Sequence, residues 1–388
     1  MEFGLFNLMP QRDPSKSPHE IFRETIEQVR LAEDLGFDTA WFAEHHFSNY
    51  CLCPAPIAMA IHVAGLTRRI RLGTGVVVAP LYQPVRMLED LALLDILSDG
   101  RLVIGLGSGY QQYEFHKFGV SVAEGRDIFL EMLDVLEQFL AEGVVEYEGR
   151  HVRIPRTEFR LRTRQKRPPI YVAGLGEDED TQRRISRSGY VSFFNKGWNP
   201  LESLVAGRRK IEQAVGGGAG GPARLPYALQ QYVHVTDDRE EALRAADGAR
   251  YVRRVALSMR NQTAQINGAF LKEIEAPNEP PLETLVERMM IGSPRKCADM
   301  LIAEMEALKP GHMSCFMNIP GLEHREVLRS MERFAREVMP AIKAHFGPSG
   351  QPAERRQEAA PPRAREAADS RARAAAEERA AEALKVAP

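Results

Sequence analysis

The chain has 388 residues, 44% hydrophobic and 27% charged, with a formal net charge of −2. That length holds one large domain or two ordinary ones, and the near-neutral balance excludes the electrostatic footprint of a nucleic-acid binder or of a protein held to an anionic membrane. No apolar run reaches the length of a membrane span, no basic-then-apolar leader opens the sequence, and four cysteines are too few for a disulfide framework, so a reduced, cytoplasmic setting is expected.

The chain opens on an apolar strand, Glu2–Leu8. A helix is predicted over Pro18–Leu35, where Ile21, Ile26, Val29 and Ala32 recur at helical spacing and Gly36 ends the pattern. Strands follow at Thr39–Glu44 and Arg71–Val78. A helix over Pro84–Leu97 starts on proline and stops near Gly100. After a strand at Leu102–Gly107, the stretch Gly125–Glu142 carries Ile128, Met132, Val135, Leu136 and Phe139 on one helical face. Gly143–Pro169, rich in β-formers and basic residues, reads as a hairpin excursion. Strands at Ile170–Leu175 and Tyr190–Asn195 precede a glycine-rich flexible loop, Gly216–Pro226. A strand at Tyr227–Val235 leads into Asn261–Pro281, which lacks a clear period and reads as an active-site lid. A helix over Pro294–Leu308, a strand at Met313–Ile319 and a helix over His324–Ala344 complete the order.

Eight strands alternating with helices predict an α/β fold with a parallel sheet. Eight units fit a (β/α)8 TIM barrel with insertions over residues 1–346, and an open doubly wound sheet is the alternative that the same alternation permits. Residues 347–388 shift to Ala, Arg, Glu and Pro. Such a tail buries too little surface to offset its ordering entropy and is expected to be disordered.

The second strand reads TAWFAEHHFSNY. A Glu-His-His cluster at the C-terminal end of a barrel strand lies where barrel enzymes do their chemistry. Strand side chains alternate, so His45 and His46 point to different sides and do not suit one metal ion. On these residues alone the pair is equally one packed and one solvated histidine, and a metal-dependent barrel hydrolase remains an alternative.

Five ordered motifs then resemble the bacterial luciferase-like flavin monooxygenases. They are Trp41–His46 (W-x-x-E-H-H), Gly73–Pro80 (G-T-x-V-x-x-P), Pro84–Asp90 (P-V-R-x-x-E-D), Leu97–Arg101 (L-S-x-G-R) and Glu114–Gly119 (E-F-x-x-F-G). The resemblance resumes at residues 168–174, 292–301 and 331–340, so it spans nearly all of residues 1–346. It implies an FMNH2-dependent, two-component monooxygenase on a (β/α)8 barrel. Reduced FMN would come from a separate NAD(P)H:flavin reductase, since this chain shows no dinucleotide fingerprint of its own. Oxygen would be activated as a C4a-peroxide of the flavin, in an apolar, closable pocket for a small organic substrate.

The same resemblance assigns residues. His45 corresponds to the catalytic histidine, with Glu44 as its orienter or a polar group of the barrel layer. Thr74, Gly75 and Val76 lie beneath the flavin ring, with a cis peptide between Gly75 and Val76. Phosphate contacts are implied at Ser108, Gly174, Leu175, Gly176 and Thr181, aided by Arg183 or Arg184. Ser108 and Gly107 stand where the luciferases themselves carry an arginine and a reactive cysteine, and the acidic run Glu177–Asp180 opposes a phosphate. Phe6, Met9, Phe193, Phe194 and Trp198 are candidates for the pocket wall. A homodimer is expected through the helices at Pro54–Leu66 and Pro84–Leu97, with Ile57, Met59, Ile61, Val63, Met87, Leu91 and Leu94 as the surplus apolar side chains. The competing readings are a deazaflavin-dependent dehydrogenase of the same superfamily and a non-catalytic flavin-binding protein.

Overall fold

Eight parallel strands close on themselves in chain order. They are β1 (Glu2–Asn7), β2 (Thr39–Phe42), β3 (Arg71–Thr74), β4 (Leu102–Gly107), β5 (Ile170–Ala173), β6 (Val191–Asn195), β7 (Tyr227–Val235) and β8 (His312–Phe316). Each pairs with the next, and β8 pairs with β1, so the sheet is a closed barrel rather than an open doubly wound one. This computed structural model describes residues 1–173, 178–216 and 226–346. The predicted flexible loop falls largely on 217–225, and the predicted tail falls on 347–388; both lie outside the described residues.

The helices are α1 (Pro18–Leu35), α2 (Pro56–Ala64), α3 (Pro84–Leu97), α4 (Gln112–Phe118), α5 (Gly125–Glu142), α6 (Glu179–Ser188), α7 (Leu201–Gly216), α8 (Arg239–Arg260), α9 (Leu282–Arg288), α10 (Pro294–Leu308), α11 (His324–Arg333) and α12 (Met339–Phe346). Local chemistry sets their ends. Ser17 caps α1 by accepting from the Glu20 N–H, and Gly36 closes it in the left-handed region at φ 82°. The last predicted helix is interrupted: a π-helical turn, Phe334–Val338, separates α11 from α12. Residues Met1–Val338 form one compact unit and α12 belongs to the next.

The barrel interior is filled around Trp41, which is fully buried. Its indole stacks on Phe193, meets Tyr171 edge-on, and donates from Nε1 to His312 Nε2 at 2.9 Å. Burial holds His312 below the ordinary imidazole range, against the opposing bond to Glu2, so Nε2 stays free to accept. Space for the indole comes from glycine. A Cβ on Gly73, the register partner of Trp41, would lie 2.4 Å from its ring, and one on Gly4 would lie 2.6 Å from it.

Opposite the catalytic face, Arg101 ties the barrel bottom together. It donates to the carbonyls of Ser98, Ile70, Ala64 and Thr67 and to the Thr67 hydroxyl, all within 3.2 Å. The excursion after α5 is the expected antiparallel hairpin, Val144–Glu148 with Arg153–Glu158. One strand was not foreseen: Met290–Gly292 pairs with the far end of β7, which at nine residues outruns the barrel. Three residues give too short a pattern to read.

The expected lid has structure of its own. Ile266–Asn267 and Phe270–Leu271 form a small hairpin. Asn49, in the loop after β2, fastens it: its N–H donates to the Ala269 carbonyl, and its Oδ1 accepts from the Leu271 N–H at 2.8 Å. The Asn49 amide also donates to the Gln11 carbonyl and the Tyr251 hydroxyl. Further along, Arg254 pairs with Glu273 and Glu279.

Candidate active site

The C-terminal ends of the strands surround a cavity of about 250 Å³. Its floor is made of small residues, Ala43, Gly75, Gly107, Gly109, Ala173 and Gly197, so main chain rather than side chain faces the space. Gly107 is required by its neighbour: a Cβ there would lie 2.8 Å from Val76 Cγ2. The Gly75–Val76 peptide is cis, as the resemblance implies, and both residues line the cavity. Apolar walls come from Phe6, Leu8, Val78, Phe193, Val252 and Phe316.

His45 lines this cavity and is held from behind. Its Nδ1 lies 3.0 Å from Glu114 Oε1 and 3.1 Å from the Gln111 amide. The same Glu114 oxygen accepts the His46 backbone N–H at 2.8 Å. An ionised carboxylate only accepts, so the bond to Glu114 requires the proton on Nδ1, and the Gln111 amide nitrogen, itself a donor, then lies beside that atom without bonding it. Nε2 then has no partner among the described residues. The ring is further set edge-on against Tyr50 and Tyr110, and burial pushes the Tyr50 phenol well above its usual range, so it stays neutral.

His46 does not line the cavity, and it lies with His45 past the end of β2, where strand alternation no longer sets direction. Its Nε2 lies 3.1 Å from Glu44 Oε1, and its ring packs on Phe118. Glu44 therefore contacts His46 and not His45. It also accepts from the Tyr82 hydroxyl and the Val78 N–H. Burial raises the Glu44 carboxyl above its ordinary value, and these three bonds oppose the rise.

The other expected residues divide. Phe6, Phe193 and Ser108 line the cavity with Gly75 and Val76. Thr74 is fully buried and spends its hydroxyl on β4, donating to the Gly105 carbonyl at 2.8 Å and accepting from the Gly105 N–H at 2.9 Å. Met9 is buried away from the cavity. Phe194 stacks on Tyr227 on the outer side of β6. Trp198 stands one layer back, under the guanidinium of Arg253, which does line the cavity. Thr181 donates its hydroxyl to Asp178, the N-cap of α6, and Asp178 pairs with Arg126. Gly174, Leu175 and Gly176 lie outside the described residues. Arg184 is engaged by Asp134 and the Leu130 carbonyl.

Sequence reasoning passed over Glu114, Gln111, Tyr110, Arg253 and Arg260, all of which reach the cavity or His45. Glu114 had a legible signal, an acid shortly after the end of a barrel strand, which the structure places in α4. The arginines of α8 had none, because four other arginines lie in the same helix. Among the described residues no cluster of His, Cys, Asp and Glu suits a metal ion, all four cysteines are free, and no helix is long and apolar enough to cross a membrane.

Comparison with known proteins agrees with this architecture. A Sinorhizobium fredii protein, y4vJ, which carries no functional description, is 38% identical over 90% of this chain and 99% of its own length. The oxygenase component of a flavin-dependent trigonelline monooxygenase from Acinetobacter baylyi is 26% identical over 88% and 99%. Among solved structures, monooxygenase RslO1 from Streptomyces bottropensis superposes with a TM-score of 0.74 at 24% identity, covering 88% of this chain and 99% of the other. The oxygenating constituent of 3,6-diketocamphane monooxygenase from Pseudomonas putida, solved with FMN, gives 0.70 at 21%, covering 88% and 98%. An F420-dependent secondary alcohol dehydrogenase gives 0.65 at 18%, with the same coverage. The profile of the luciferase-like monooxygenases matches residues 1–309, and the chain belongs to that family.

Proposed function

We propose that this protein is the oxygenase half of a two-component system, using FMNH2 from a separate NAD(P)H:flavin reductase to place one atom of O2 in a small organic substrate. The observation that carries this reading is His45, oriented by Glu114 through Nδ1 with Nε2 unpartnered, beside a cavity floored by main chain. That lining suits a flat ring system, since Ala43, Gly75, Gly107 and Ala173 have little or no side chain to stand in its way. Ser108, Gly174, Leu175, Gly176 and Thr181 are the groups proposed to hold the phosphate. Thr74 supports the ring site indirectly by locking β3 to β4. Reduced flavin, when bound, supplies the electrons that activate oxygen.

The chain's own residues then have three tasks. Phe6, Leu8, Val78, Phe193 and Phe316 keep water from the reacting atoms. His45 moves a proton at Nε2. Glu114 fixes the tautomer and direction of that ring, while Glu44 and Tyr82 hold His46 and the turn behind it.

The test is turnover with 18O2. Chemically reduced FMN and reduced F420 are each mixed with the protein and a panel of ketones, aldehydes, alkenes, carboxylates and sulfonates. The reading expects 18O in a product only with FMN. Anaerobic hydride transfer from F420 would replace it with the dehydrogenase reading.

We also propose a cytoplasmic homodimer. Leu66, Ile96 and Leu97 are exposed at the ends of α2 and α3, Leu97 by 53%, whereas Ile57, Met59, Val63, Met87, Leu91 and Leu94, expected as surplus apolar surface, are buried in the protein's own core. Leu66→Glu with Leu97→Glu is expected to shift sedimentation from dimer to monomer without unfolding. A wild type that sediments as a monomer at micromolar concentration rules the interface out.

A further inference from the structure

We propose that the cavity takes a substrate bearing an anionic oxygen group, a carboxylate or sulfonate, and that Arg253 and Arg260 seat that group. This deepens the monooxygenase reading and rests on it for the identity of the cavity as the substrate site.

Five of the six arginines of α8 fall into two sets. Arg244, Arg250 and Arg254 are paired, with Glu326, Asp247 and the two carboxylates of Glu273 and Glu279. Arg253 and Arg260 both line the cavity, and among the described residues neither is paired with a carboxylate. Each lies over an aromatic face instead, Arg253 at 5.5 Å from the Trp198 centroid and Arg260 at 5.6 Å from that of Tyr110. Residues 253, 256 and 260 are spaced by three and four, so they share one helix face. Ala256, between the two arginines, also lines the cavity and leaves room there. Arg253 Nε is buried without a hydrogen-bond partner, which is rare for so strong a donor.

The cavity's two carboxylates do not answer these cations. Glu44 is engaged by His46, Tyr82 and the Val78 N–H. Glu114 is engaged by His45 and the His46 N–H. The pocket therefore presents positive charge on the α8 side, in planar donor forks that match an oxyanion.

The position favours the substrate over the cofactor's phosphate. Tyr110, on which Arg260 lies, is itself edge-on to His45 with ring centroids 6.0 Å apart. Arg260 thus sits about one ring from the proton-moving residue. The proposed phosphate site follows β5, whereas α8 follows β7, two strands further round the barrel.

The experiment reads binding apart from catalysis. Because Arg253 lies on Trp198, occupation of the site is followed by Trp198 fluorescence in a Trp41→Phe background, with the single-tryptophan parent checked by circular dichroism. The probes are benzoate, phenylacetate, octanoate and octanesulfonate, each against its neutral amide. Saturable quenching by at least one anion, at concentrations where its amide is silent, is expected. Arg253→Gln and Arg260→Gln are each expected to weaken that binding about 10- to 100-fold, with Arg→Lys at either position retaining part of it. The ratio of FMN to riboflavin affinity should be the same in wild type and variants. A ratio that falls in the variants would assign the arginines to the cofactor phosphate and overturn the proposal. So would amides that bind as well as their anions, or no quenching by any probe at millimolar concentration. If anions bind as expected but no 18O enters any product, the oxygenase reading fails and the anion site stands.

Discussion

His45→Ala is expected to lower productive turnover by about 10²- to 10⁴-fold, the range that one positioned acid–base group supplies. Flavin should still bind, because the floor of the cavity is main chain and is untouched by the change. Oxidation of the flavin should continue, but with hydrogen peroxide released in place of oxygenated product. The ratio of product formed to flavin oxidised is the quantity to measure. His46→Ala should do less, since its ring does not line the cavity and is spent on Glu44 and Phe118. Glu114→Gln separates orientation from presence of the ring. An amide at that position can donate, so it no longer demands a proton on Nδ1, and the wrong tautomer becomes available. It should therefore uncouple the reaction with His45 still in place. Equal product yields from wild type and His45→Ala would remove His45 from the mechanism, and a larger defect in His46→Ala would exchange their roles.

The second large effect is on stability. Lys196, just after β6, pairs with Glu304 on α10 where the two side chains are only 3% and 2% exposed. Gln231 on β7 donates to the other Glu304 oxygen at 2.7 Å. Removing one member of a buried pair strands the other charge in a medium that solvates it poorly. Lys196→Met is expected to cost about 3–5 kcal/mol, read as a lowered denaturation midpoint in urea. The double change Lys196→Met with Glu304→Leu removes both charges and should recover much of the loss. A single variant as stable as the wild type would show that water reaches Glu304. The pair joins the end of β6 to an outer helix, so local melting there should expose the Phe193 wall first.

These residues mark what a sequence can and cannot disclose. Strand positions were legible because apolar runs are bounded by glycine and proline, and helix ends because caps such as Ser17 and Gly36 are local signals. Gly4 and Gly73 looked like ordinary strand glycines, and only closure of the barrel shows that both make room for Trp41. The pairing of His45 with Glu114 spans 69 residues and depends on the loop after β2 meeting α4, which no local period encodes. Glu44, adjacent in sequence to His45, looked like its natural partner, yet it pairs with His46 instead, in irregular chain past the end of β2 where strand alternation no longer applies. Phe194 failed as a wall residue because alternation along β6 turns it away, one step from Phe193. Arg253 and Arg260 were invisible because a helix rich in arginine reads as a solvated face until its neighbours' carboxylates are counted.

Asn49 has a kinetic consequence. Its five hydrogen bonds join the loops after β1 and β2, the hairpin at residues 266–271 and Tyr251 of α8. Swinging that hairpin outward would break two of them together, those to Ala269 and Leu271, so this side of the barrel behaves as a fixed rim. Traffic is left to the gap where Tyr110 and Arg260 stand exposed. Side chains at such a gap turn over in picoseconds to nanoseconds, whereas a hinged loop opens in microseconds to milliseconds. Passage of small molecules in and out then sets no clock for the cycle, and the slow step falls to the chemistry or to exchange of the larger flavin.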